Sequence, residues 1–278
     1  MVFNMAFHMA SVGDVRYIRS DILVSRHGFS TRLGGVSAPG ATASLNLAFG
    51  RGDERETVLE NLTRFGDAVG FDPKGVVSVP QIHGRDVFLV DSNHRGMGYW
   101  VDAPFEGDGY VTADPAVVLG VKTADCVPIL LEAEVAGRVA AVAALHAGWK
   151  GTVAGIAEEG ARRLKLLAAE TRGASLESVV VRAAIGPCIH GCCMEVREDC
   201  LEVVRASLGD MAEAFIGVRG GKTYLDLSGM NRRLLIRAGV DEINVDVCEL
   251  CTACRTDLFY SHRASGGVRG TMLNVICL

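Results

Sequence analysis

An α+β fold, a layered sandwich of mixed β-sheets flanked by helices and closed as a single domain over residues 1–278, is predicted by three observations on this sequence. Short runs of branched apolar residues, each of strand length, recur through the middle of the chain. Stretches with the 3.6-residue apolar period of a helix are interspersed among them rather than segregated at one end. No fixed-period repeat, low-complexity tract or Pro/Ser-rich linker marks a domain boundary.

Taken in order, Asp53 followed three residues later by Glu56 has the form of a capping box. Val58, Leu62, Phe65 and Val69 then recur at helical spacing, which predicts a helix over 53–69. Six runs read as buried strands: Val76–Val79, Val87–Val90, Val117–Val121, Val127–Leu131, Val139–Leu145 and Val179–Ile185. Their β-branched content favours sheet over helix. Gly148 to Thr152 interrupts this pattern. Beyond it Ile156, Leu164, Leu167 and Ala168 line one helical face, with Glu158, Glu159, Arg162 and Arg163 opposite. Two further helices are expected over Val196–Leu208 and Leu227–Ala238, the second opened by Asp226 and closed by Gly239.

The composition excludes several classes. With 49% hydrophobic and 22% charged residues the chain is that of an ordered globular protein, not a disordered one. A net charge of −5 and the lack of a basic run argue against nucleic acid as a partner; Arg162, Arg163 and Lys165 read as the solvated face of a helix. No apolar run reaches membrane-spanning length, and Met1–Gly13 has neither the basic start nor the apolar stretch of a signal peptide. Nine cysteines, an odd number, fit reduced thiols in a cytoplasmic protein better than a disulfide framework.

Three residues at strand–loop junctions stand out. Cys126, in Thr-Ala-Asp-Cys-Val-Pro, enters a buried strand; His146, in Leu-His-Ala-Gly-Trp, leaves the next; His83, in Gln-Ile-His-Gly, occupies a third junction. Two imidazoles and a thiolate satisfy a borderline-soft divalent ion and leave a fourth position for water or substrate. The alternative on the residues alone is an inert buried thiol and two hydrogen-bonded histidines. Asp125 points away from Cys126 if strand alternation holds there.

Several segments together decide between these readings. HGFSTRLGGVS from His27, SLNL from Ser44, QIHG from Gln81, TADCVPILL from Thr123, HAGWKGT from His146, IGPCI from Ile185 and DLFYSHR from Asp257 run in order along nearly the whole chain. In these segments the chain resembles the YfiH-like, laccase-domain purine nucleoside phosphorylase family, also described as multicopper-oxidase-like or polyphenol oxidase. The resemblance implies zinc held by His83, Cys126 and His146. It also implies phosphorolysis of adenosine, inosine and S-methyl-5'-thioadenosine, with adenosine deaminase activity; copper belongs to the family's older label.

Phosphorolysis calls for cationic or amide-rich surroundings for phosphate. Arg32 is the first choice, in a turn where the amides of Gly34 and Gly35 would help hold an anion, with Lys150 beside a helix start as the second. The family more often carries arginine at the position of Lys150. Deamination calls for a carboxylate that moves protons, and Glu195 is the candidate. It follows Met194, where the family usually has tyrosine.

Among the other cysteines, Cys251-Thr-Ala-Cys254 with nearby Cys248 reads as half of a zinc ribbon or as a redox pair. No second such pair closes it, and Cys188, Cys192 and Cys193 are read as buried or satellite thiols in preference to ligands completing it. His27 and His262 lie inside the matching segments and are candidate pocket residues. Three rival functions stand beside the nucleoside reading: a cysteine hydrolase with Cys126 as nucleophile, a copper-dependent phenol oxidase, and a non-enzymatic binding protein. Laccase chemistry needs several histidine-rich copper sites, and seven histidines without one His-x-His pair do not provide them.

Overall fold

The computed structural model describes residues 7–278. Residues 1–6, part of the stretch expected not to be a leader, lie outside them. Along the chain come β1 (Phe7–Val12), β2 (Val15–Ser20), β3 (Arg26–Ser30), α1 (Arg55–Val69), β4 (Val76–Val77), β5 (Val87–Leu89), β6 (Gly109–Thr112) and β7 (Val118–Thr123). The middle holds β8 (Val127–Val135), β9 (Arg138–Ala147), α2 (Trp149–Val153), α3 (Ile156–Arg172) and β10 (Val179–Ile185). The last third holds β11 (Glu195–Val196), α4 (Glu198–Leu208), β12 (Ile216–Arg219), β13 (Lys222–Leu225), α5 (Leu227–Arg237), β14 (Val245–Val247) and β15 (Met272–Cys277).

Two six-stranded sheets, ordered β1-β2-β3-β15-β7-β4 and β14-β10-β8-β9-β6-β5, stack face to face, with a small sheet β11-β13-β12 beside them. Both large sheets are mixed, since β4–β7, β5–β6 and β10–β14 pair in parallel among antiparallel neighbours. Strand alternation sorts the core. Leu130, Val142 and Ala144 turn inward to meet Phe29, Leu119 and Ile276 of the first sheet. Ile129, Leu131, Ala143 and Leu145 turn outward, under Leu164 of α3 and Leu234 of α5. On the far side Val58, Leu62 and Phe65 of α1 cover Tyr17, Val118 and Val275. The expected layered α+β sandwich is present, with helices on both outer faces.

The helix expected from Asp53 begins at Arg55, and no side chain caps it. The carboxylate of Asp53 instead accepts from Ser37 Oγ at 2.7 Å, Thr42 Oγ1 at 2.9 Å and Asn46 Nδ2 at 2.9 Å. These partners in the preceding loop compete with the local amide and win, so the capping box does not form. The cap at Asp226 does form, its side chain accepting from Gly229 N, and Gly239 follows the helix at φ 88°.

Candidate active site

The β8–β9 hairpin sets the site. Its two-residue turn places Ala136 and Gly137 at φ 49° and 76°, the left-handed pair that suits the strand twist, and a bulge after Ala133 fixes the register. That register opposes Val127 to Ala147, so Cys126 and Gly148 face each other just beyond the strand ends with His146 alongside. A slip of one residue would turn His146 to the other face. His83 arrives from the loop between β4 and β5 at φ 60°, a conformation that surrounding contacts must hold.

The structure brings together all three residues singled out. Ligand atoms of His83, Cys126 and His146 lie within 4.8 Å of one another, and the two imidazoles meet edge to face at 4.8 Å between centroids. A Cβ on Gly148 would stand 2.5 Å from His83 Nδ1 and 3.3 Å from Cys126 Sγ, so only glycine lets the backbone close over the group.

Asp108, fully buried at the start of β6, organises this arrangement and was not singled out from sequence. One oxygen, Oδ1, accepts from His146 Nδ1 at 2.7 Å and from the His83 amide at 3.0 Å. The other, Oδ2, accepts from the amides of Gly84 at 2.7 Å and Ile82 at 3.2 Å. One carboxylate therefore shapes the His83 loop and leaves His146 Nε2 as the nitrogen free for the cluster. Burial pushes the Asp108 carboxyl up, but the His146 hydrogen bond and the amides outweigh it and hold the carboxyl below its ordinary range.

Burial likewise pushes the Cys126 thiol up, yet the charge and hydrogen bonds of His146 and His83 bring it down to about 6. Burial lowers His146, while the Cys126 thiolate and Asp108 raise it to about 9. The cluster thus favours a thiolate, the form in which a cysteine binds a metal or acts as a nucleophile. Two imidazoles and one thiolate fit a divalent ion with a coordination position to spare.

Two cavities flank the cluster. One, of about 320 Å³, is walled by Ile82, Trp149, Ile189, Met194 and Leu227, with Asp125 and Lys150 at its polar margin. The other, of about 210 Å³, brings Arg51, Lys122 and Arg269 beside His83, Cys126 and His146. Burial lowers Lys122 to about 8; its Nζ donates to Ser78 O at 3.1 Å and lies 4.7 Å from the Tyr99 ring centroid. Gln81 clamps the same residue, donating to Lys122 O at 2.8 Å and accepting from Lys122 N at 2.7 Å. Arg269 donates through Nη1 to Thr271 Oγ1 at 2.8 Å, while its buried Nε has no partner among the described residues. A larger cavity of about 480 Å³ shares no residue with the cluster; it includes His27, whose two ring nitrogens are engaged by Ser25 O and Ser20 N.

The remaining sequence candidates separate. Arg32 lines a fourth cavity, of about 250 Å³, that also touches Arg269; its Nε donates to Ala43 O at 2.9 Å and its Nη1 to Thr256 O at 3.0 Å. The amides of Gly34 and Gly35 donate to Ser44 Oγ and are not free to hold an anion, contrary to expectation. Glu195 is exposed, paired with Lys222 Nζ at 2.9 Å, and lines neither cavity at the cluster. Asp125 precedes β8 and sits at φ 99°, so strand alternation does not govern it. It lines the larger site cavity, accepting from Thr252 Oγ1 and from the Arg263 amide, each at 2.7 Å. His262 is exposed. Cys192, Cys193, Cys251 and Cys254 come together in a second group, whereas Cys188 and Cys248 are buried and are not among its members.

The profile of a family described as multi-copper polyphenol oxidoreductase laccase matches residues 26–278. The chain belongs to this family. A relative named purine nucleoside phosphorylase, from Deinococcus radiodurans, is 39% identical over 263 residues, which is 94% of this chain and 92% of the relative. A protein named adenosine deaminase RL5, from an unknown prokaryotic organism, is 32% identical over 86% of this chain and 88% of its own length. The crystal structure of YlmD from Geobacillus stearothermophilus superposes with a TM-score of 0.84 at 32% identity, covering 98% of both chains. No helix among the described residues is long and apolar enough to cross a membrane.

Proposed function

We propose that this chain is a zinc-dependent purine nucleoside phosphorylase, acting on adenosine, inosine and S-methyl-5'-thioadenosine, with adenosine deamination as a second activity. The relatives' names support the reaction class. One observation carries the reading: the His83–Cys126–His146 group lies between a cavity with apolar walls and a cationic one.

In this reading the purine lies against Trp149 and the apolar wall, and phosphate enters between Arg51, Lys122 and Arg269. Both reactants then meet at the cluster. A phosphate oxygen forms the bond to the anomeric carbon as the base–sugar bond breaks and its electron pair leaves with the base. Holding phosphate close to the developing positive sugar is an electrostatic and orientational task that these three cations perform. A bound zinc ion would supply Lewis acidity beside the reacting atoms. Asp108 keeps His146 in the tautomer that presents Nε2 and fixes the His83 loop. For deamination, the carboxylate lining this cavity is that of Asp125, which replaces Glu195 as the candidate for moving protons.

Two imidazoles and a thiolate are also the donor set of electron-transfer copper. Such sites are closed, whereas this one opens on two cavities and His83 is exposed, which favours zinc. The Asp108–His146–Cys126 chain favours one second reading, a cysteine hydrolase with Cys126 as nucleophile. That mechanism gives His83 no task.

The test is elemental mass spectrometry on wild type and Cys126→Ala, with chromatography of adenosine incubated with and without phosphate. Metal lost with Cys126, together with adenine formed only when phosphate is present, supports the proposal. Inosine reports the deaminase branch. Wild-type activity that survives metal removal and is abolished by iodoacetamide would instead identify the hydrolase.

A further inference from the structure

The second cysteine group is assembled from two segments far apart in sequence. Cys192 and Cys193 stand in the turn after β10, and Cys251 and Cys254 in the loop after β14. The strands leading to these segments are parallel neighbours, β10 against β14, so both chains leave the same end of the sheet side by side. Beyond the strands, Cys188 and Cys251 form an isolated bridge, and Thr252 N donates to Cys188 O at 2.9 Å. Sheet topology therefore supplies the closing pair that no second Cys-x-x-Cys in the sequence provides.

We propose that Cys192, Cys193, Cys251 and Cys254 form a structural tetrathiolate zinc site, separate from the His83–Cys126–His146 group. All four sulfurs lie within 4.8 Å of one another, with Cys192–Cys254 at 3.6 Å and Cys193–Cys254 at 3.4 Å. Four sulfurs at about 2.3 Å from one tetrahedral ion stand about 3.8 Å apart, so the group is close to ligating geometry as it stands. An iron–sulfur cluster spreads its thiolates over several irons and would hold them further apart than this. The donor set is complete without solvent, as in a structural site and unlike the open three-residue group.

The surroundings suit a zinc tetrathiolate, which carries a net negative charge. The His190 amide donates to Cys251 Sγ at 3.4 Å. Arg219 Nη2 donates to Cys192 O at 2.7 Å and Arg263 Nη1 to Cys193 O at 2.9 Å, bringing two guanidinium groups against the backbone of the clasp.

The clasp joins pieces of the active-site wall. Ile189 and Met194, on either side of Cys192–Cys193, line the cavity that contains Cys126. On the other strand of the clasp, Thr252 holds Asp125, the residue before Cys126. The zinc therefore ties the two segments that shape the cavity, and its role is positioning.

Metal content separates this site from the first. Full-length wild type purified without chelator is expected to hold about two zinc ions per chain. Cys254→Ser and the pair Cys192→Ser/Cys193→Ser should each lose one and keep the ion that Cys126→Ala removes. Cadmium-113 NMR of cadmium-loaded wild type should show one resonance in the all-sulfur range, and Cys254→Ser should abolish that resonance alone. This measurement on folded wild type stands even if a variant fails to fold. The proposal is overturned if wild type holds one ion that Cys126→Ala eliminates, if the all-sulfur resonance is absent, if iron is found in place of zinc, or if the four cysteines resist alkylation in denatured, unreduced, metal-free protein because they are disulfides. The ion lost with Cys254→Ser and the all-sulfur cadmium resonance report on this site alone, so failure of the nucleoside reading would leave both unchanged.

Discussion

Replacing Asp108 by asparagine changes one atom and tests the organisation of the site. The carboxylate accepts two hydrogen bonds on each oxygen: His146 Nδ1 and the His83 amide on Oδ1, and the Gly84 and Ile82 amides on Oδ2. An asparagine carbonyl serves only one of these pairs, and its NH2 faces the other. With the carbonyl toward His146, two amides of the His83 loop lose their acceptor. With the NH2 toward His146, the ring must accept at Nδ1 and carry its proton on Nε2, which disables it as a ligand. Two unmet buried donors at about 1–3 kcal/mol each give a loss of about 2–6 kcal/mol. For a chain of this length that lowers Tm by about 3–10 °C. Metal affinity should fall by about 10- to 100-fold, the usual effect of removing a ligand's supporting partner. Calorimetric melting of metal-free protein and competition with a chromophoric chelator measure the two effects. Because the folded-state carboxyl is held low, its stabilising contribution is present above the ordinary carboxylate pKa and is lost as pH falls through the lowered value. The stability difference between wild type and Asp108→Asn should therefore shrink in acid. Wild-type chelator competition together with an unchanged Tm in Asp108→Asn would refute this account.

Gly148→Ala should leave the fold intact, because φ −66° suits alanine, while its Cβ displaces His83; the expected loss of metal affinity is at least about tenfold, read by equilibrium dialysis. Arg269→Ala and Lys122→Met should each raise the phosphate KM by about 10- to 100-fold with nucleoside KM changed far less, as initial rates at varied phosphate would show. In metal-free protein, Cys126 should alkylate with a midpoint near its lowered value of about 6, well under the ordinary thiol value of 9.0, and His146→Ala should move that midpoint upward. Mass-resolved iodoacetamide rates across pH check this.

The three-residue group was legible in sequence because each member sits at a junction beside a strand with a clear apolar run, and the motifs around them matched one family. Asp108 was not, since it stands before the short strand β6, which was not expected, and its partners lie 24 to 38 residues away. Arg51 and Arg269 come from loops and meet only when β15 joins the first sheet. The six β-branched runs correspond to β4, β5, β7, β8, β9 and β10, with their ends shifted by up to four residues. β3 and β15 were missed because their buried faces include histidine, serine, asparagine and cysteine rather than unbroken aliphatic runs. The β12–β13 hairpin has a readable signal in Gly220-Gly221, at φ 60° and 72° between two extended segments. The four-cysteine group is not legible from spacing, which does not reveal that β10 and β14 run in parallel.

The position of β15 bears on how the chain reaches its native state. Residues 274–277 pair with residues 26–29 on one side and, through Met272–Ile276, with 119–123 on the other. Until those late residues emerge from the ribosome, the first sheet is two fragments with open edges facing a gap. Closing that gap brings together positions some 250 apart in sequence, a contact of high order that makes folding slow. Nascent chains are exposed to edge-to-edge association for that interval, and loss of the last strand would make the exposure permanent.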